Sequence, residues 1–136
     1  MMVYYLKLYF AALITFFLID MVWLNFVARA LYRKYLGFIM EPSPNWVAAV
    51  IFYLLFILGI LVFVVIPGLK ENSLTTTLLR AALFGLITYA TYDLTNLATI
   101  KDWPLLVTVV DIAWGTVLSV IVSLVSFLIG SYFLFT

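Results

Sequence analysis

The chain has 136 residues, 68% of them hydrophobic and 10% charged, where a soluble domain usually carries about 25% charged residues. Its net charge of +1 offers no basic surface for nucleic acid, and the absence of Cys and His removes disulfides, thiol chemistry, the commonest zinc ligand and the easiest general base at neutral pH. Long apolar runs with so few charges predict an integral membrane protein, and the length fits one domain, residues 1–136.

The first apolar run, residues 8–29, lies between Lys7 and Arg29. With Ala28-Arg29-Ala30 at its end it mimics a cleavable secretory signal. The run is too long for one, and Asp20 and Trp23 interrupt it, so it is expected to stay as the first transmembrane helix. Beyond it, Arg29, Arg33 and Lys34 alternate with Leu31, Tyr32, Tyr35 and Leu36. Two readings stay open there: an extension of the first helix along the membrane interface, or a solvated basic loop.

The second run, residues 45–66, is punctuated by Pro44 and Pro67 and contains no buried polar group comparable to the aspartates elsewhere, so it reads as a wall. The third, residues 74–100, has Arg80 placed to snorkel near its start. The fourth, residues 104–130, begins at Pro104 behind Asp102, a favoured opening for a helix. Each run has the roughly 20 residues a helix needs to cross a bilayer, and the alternation of a membrane barrel is absent. The expected fold is therefore all-α, a polytopic membrane protein with a four-transmembrane-helix bundle and both termini on one side, side A. Side B then carries the connections 31–43 and 101–103. Lys7, Lys70 and Arg80 on side A nearly balance Arg29, Arg33, Lys34 and Lys101 on side B, so orientation stays open.

Three of these helices carry an aspartate. Asp20 precedes Arg29 by nine residues, Asp93 precedes Lys101 by eight, and Asp111 follows Trp103 by eight. At about 1.5 Å per residue this puts all three roughly 12–14 Å below side B, near the midplane of a hydrocarbon layer about 30 Å thick. The four tryptophans, Trp23, Trp46, Trp103 and Trp114, fall in the same half, with Asn25, Asn45 and Asn96. Trp46 and Trp103 fit plain interfacial anchors, whereas Trp23 and Trp114 are too deep for that.

Helical spacing groups Gly85, Tyr89, Tyr92, Asp93 and Asn96 on one face of the third helix, and Thr108, Asp111, Gly115 and Ser119 on one face of the fourth. Polar faces turn inward, because lipid cannot satisfy them. A membrane carboxylate is costly, about 2.5–3.5 kcal/mol on insertion scales, while side chains that glue helices return only about 0.6 kcal/mol on average. Asp93, Asp20 and Asp111 are accordingly the candidate catalytic groups, with Trp23, Tyr92, Asn96, Trp114, Tyr89 and Thr108 as candidate ligand-binding residues. Tyr89 and Thr108 also fit simple packing with a satisfied hydroxyl. Gly59, Gly85, Gly115 and Gly130 suit close helix contact. Three Asp with Asn96 make a poor metal site, since hard cations need further oxygens, and no metal or cofactor is expected.

The stretch Tyr89-Ala90-Thr91-Tyr92-Asp93-Leu94-Thr95-Asn96-Leu97-Ala98-Thr99 is followed by Trp103-Pro104 and by Val109-Val110-Asp111-Ile112-Ala113-Trp114-Gly115-Thr116. Together with Asp20-x-x-Trp23-Leu24 and Pro44-Asn45-Trp46, it resembles a bacterial family of small four-helix integral membrane proteins of unknown function. The resemblance spans almost the whole chain. It implies the four-helix topology and residence in a bacterial inner membrane, and it supplies no activity and no residue roles.

Three function classes remain open from the residues. The first is an acidic, aromatic pocket that binds, and isomerises or otherwise modifies, a small apolar or lipidic ligand. The second is a proton- or cation-coupled transporter, which with so few helices would work as a homo-oligomer. The third is a non-catalytic membrane assembly partner. Membrane lipids are the expected partners in each case.

Overall fold

Each apolar run becomes one helix. The computed structural model describes residues 1–133, in which no strand occurs among the described residues. The helices are α1 (Met2–Leu36), α2 (Trp46–Glu71), α3 (Leu74–Thr99) and α4 (Leu105–Tyr132). All four are long and apolar enough to cross a membrane, and they form a four-helix transmembrane bundle.

Local chemistry sets the helix starts. The Asn45 side chain accepts a hydrogen bond from the Ala48 N–H at 3.2 Å and caps α2, and Ser73 caps α3 by accepting from the Thr76 N–H at 3.2 Å. Pro104 stands in extended conformation just before α4. Asn72 and Asp102 take left-handed backbone angles, with φ of 51° and 62°, and turn the chain between α2 and α3 and between α3 and α4.

Two helices run further than the apolar pattern suggests. α2 continues through Pro67 to Glu71. A proline inside a helix removes one hydrogen bond and crowds the carbonyl four residues back. Here a π-helical turn at Leu61–Val65 widens the preceding stretch, so the chain passes Pro67 without ending. α1 contains a second π-helical turn at Leu24–Ala28 and then continues to Leu36. At 35 residues it is about 52 Å long, well beyond the hydrocarbon thickness of about 30 Å. Its last turns do not lie loose on an interface. Leu36, with Tyr32 and Tyr35, packs against Trp103, Val107 and Leu97 at the ends of α3 and α4.

The main core lies where α1, α2 and α4 meet. Phe16 of α1 packs against Phe56 and Tyr53 of α2, with ring centroids 5.6 and 5.3 Å away, beside Ile57, Ile60, Leu118 and Val122. The outer faces are apolar too, as at Phe10, Leu18, Leu55, Phe63 and Leu83. Between lipid-like surfaces, shape fit rather than hydrophobic burial selects the contact. That fit is closest between α3 and α4. A Cβ on Gly115 would lie 2.0 Å from the Tyr89 ring, and one on Gly85 would lie 2.5 Å from the Gly115 carbonyl. Both positions need glycine because the two backbones and the Tyr89 ring already fill the space. Beside Phe52, in contrast, α2 and α3 diverge and leave a wedge.

Candidate functional site

α1, α3 and α4 bring their aspartates together, in a pair and a neighbour rather than a ring. Asp93 of α3 is fully buried, and the side-chain partner its carboxyl finds among the described residues is another carboxyl. It lies beside the Asp111 carboxyl of α4. The Tyr32 hydroxyl of α1 donates a short hydrogen bond to Asp111 Oδ1. Asp20 of α1 is nearly buried and lies beside the Trp114 indole and the Tyr53 hydroxyl, with Asp111 as its nearest acid. Among the described residues, no three acids close to a geometry that would hold one metal ion.

The two deep indoles pack on each other. Trp23 and Trp114 stack with ring centroids 4.3 Å apart and planes inclined by 5°. Each comes from an Asp-x-x-Trp segment, and the two helices bring both indoles to the same plane. The Trp114 N–H is buried and faces the Asp20 carboxyl.

The aromatic residues of α3 complete the walls. Tyr89 covers Gly115 and meets Phe56 edge-on, with ring centroids 5.9 Å apart. Tyr92 is more than half exposed, sets its edge against Trp103 at 5.9 Å, and has the Asn96 amide beside its hydroxyl. Phe52, Thr88, Tyr89 and Tyr92, with Asp111, line a cavity of about 280 Å³ in the wedge between α2 and α3. Phe52 and Tyr92 also present exposed apolar surface to the outside of the bundle, so this cavity opens sideways.

Thr108 and Trp103 serve another purpose. The Trp103 indole N–H donates to Thr108 Oγ1 at 3.1 Å, and that hydroxyl donates to the Pro104 carbonyl at 3.1 Å. The Thr108 hydroxyl is thus committed to closing the start of α4. Trp103 is buried, not an interfacial anchor, whereas Trp46 is exposed as an anchor should be.

Two residues join the site that the sequence pattern did not single out. Tyr32 belongs to the extension of α1 and reaches Asp111 across 79 residues of chain. Tyr53 belongs to α2, so that helix is more than an apolar wall.

Chemically, two facing carboxyls can hold a proton between them, and the Tyr32 hydroxyl fixes the orientation of one of them. The surrounding rings exclude water and offer flat apolar surface to a ligand. No curated protein and no solved structure matches the chain. A family model described as predicted membrane protein (DUF2177) matches residues 5–128, nearly the whole of the bundle, and the chain belongs to that family of integral membrane proteins.

Proposed function

We propose that the chamber at Asp93 and Asp111 binds a lipidic molecule drawn sideways from the bilayer and exchanges a proton with it. One observation carries the reading: Asp111 lies on the wall of a cavity of about 280 Å³ that opens between α2 and α3 toward the lipid-facing side. A carboxyl reached only through an apolar portal meets apolar ligands first. Asp93 is buried against another carboxyl, that of Asp111, rather than against the donor side chain that helix glue uses, which favours function.

Proton transfer without metal or cofactor is enough to shift a double bond, provided one group gives a proton and another removes one. The Asp93–Asp111 pair and Asp20, beside the Trp114 indole, are two such groups. Tyr89 and Tyr92 would hold the apolar body of the ligand, and the Asn96 amide would meet a polar end.

The test is comparative lipid mass spectrometry on deletion cells complemented with wild type or with Asp93→Asn. A lipid species that depends on the protein and is lost in the variant is the expected result. Identical lipid profiles, with both proteins inserted and folded, would move the assignment to proton-coupled transport or to an assembly role. Proton movement by the purified protein in liposomes then separates those two.

A further inference from the structure

A second, larger cavity lies outside the carboxyl chamber. It has a volume of about 640 Å³ and runs beside α1 toward the loop before α2. Met21, Asn25, Arg29, Arg33 and Gly37 line it at four-residue intervals, so one side of α1 faces it through the π-helical turn and beyond. Its deep end is apolar at Met21 and Leu24, and its outer end is roofed by the loop reaching Trp46. The two guanidinium groups stand one turn apart at the outer end. Glu41 also lines the rim, yet among the described residues the ion pair is Arg80 with Glu71, and neither Arg29 nor Arg33 is paired.

We propose that this cavity is a phosphate-binding site for a membrane amphiphile, with Arg29 and Arg33 holding the phosphate and Met21 and Leu24 receiving the start of the apolar chain. Arginine forks match phosphate oxygens in pairs, and two forks one turn apart on one face can hold one phosphate from two sides. The cavity is far larger than a phosphate needs, and its apolar floor suits the part of a lipid next to the headgroup. A basic stripe that only oriented the protein would have no need of a groove with an apolar floor. The proposal does not depend on chemistry at the carboxyl pair, although Tyr32 touches both places.

The experiment is native mass spectrometry of the purified full chain titrated with phosphatidylglycerol, with a diacylglycerol of the same chains, and with inorganic phosphate as competitor. Wild type is expected to retain one phosphatidylglycerol and no diacylglycerol. R29Q/R33Q is expected to bind it about 25-fold more weakly, at about fivefold per charge. K34Q/K101Q removes the same charge from exposed lysines outside the cavity, and should stay within about twofold of wild type because such charges are screened. Equal weakening in both double variants, or retention of diacylglycerol as well, overturns the site. Displacement by millimolar inorganic phosphate would assign it to free phosphate, and resistance to displacement would assign it to the lipid headgroup. Should R29Q/R33Q fail to fold, the single variants R29Q and R33Q, each expected about fivefold weaker, carry the same test.

Discussion

Asp93 separates a structural role from a functional one at the level of a single side chain. A residue kept as glue stabilises through its hydrogen bonds, and its removal lowers stability. Asp93 is buried against the carboxyl of Asp111 rather than against a donor side chain. Asp93→Asn keeps the shape and removes one acid from a facing pair, so the thermal unfolding midpoint in detergent is expected at or above that of wild type. A fall of several degrees would return Asp93 to the role of glue. Gly115 is expected to behave in the opposite way. Its missing Cβ is occupied by the Tyr89 ring, so Gly115→Ala should cost about 1–3 kcal/mol, as overpacked sites do, and lower the same midpoint. Ser123→Ala, at a buried hydroxyl of α4 with no hydrogen-bond partner among the described residues, should leave it nearly unchanged.

Helices were legible because apolar runs of membrane length have one solution in lipid, and the acids were legible because carboxyls are rare there. What the pattern could not deliver was helical phase across an irregular turn. Asp20 and Tyr32 are twelve residues apart, and an unbroken α-helix at about 100° per residue would turn Tyr32 about 120° away from Asp20. The π-helical turn at Leu24–Ala28 takes up one extra residue and brings Tyr32 back to within about 20° of that face, where it meets Asp111. Nothing in Leu24-Asn25-Phe26-Val27-Ala28 signals such a turn, so the sequence leaves an interfacial extension and a solvated basic loop both open. Tyr53 was hidden for another reason: in α2 it is one tyrosine among aromatic neighbours, and only packing against Asp20 distinguishes it. The phase argument can be checked. Deleting Phe26, which is exposed, should convert the π turn to an α turn and preserve the Tyr32–Asp111 contact. Inserting an alanine after Phe26 should rotate Tyr32 away by about 100°. The insertion is therefore expected to lose far more thermal stability than the deletion. Equal loss in both would show that the turn sets no phase.

The molecule as a whole has one tight seam and one open one. α3 and α4 are held together by Gly85, Gly115 and the Tyr89 ring, while α2 leans on α1 and leaves the wedge toward α3 beside Phe52. This asymmetry puts the carboxyl pair on the rigid seam and the entrance on the looser one, which suits a site that must admit a bulky apolar molecule without losing its geometry. Lateral entry then makes a prediction that no alternative route shares. The chain has no cysteine, so a Phe52→Cys/Thr88→Cys variant carries only the two thiols placed on the cavity wall. Joining them with a short bis-thiol reagent in membranes should close the portal, abolish the dependence of the cell's lipid profile on the protein, and leave the unfolding midpoint at least as high as before. Each single-cysteine variant treated in the same way should keep that dependence. Full function after bridging would exclude entry between α2 and α3 and direct attention to the larger cavity beside α1, whose basic rim would then be the way in.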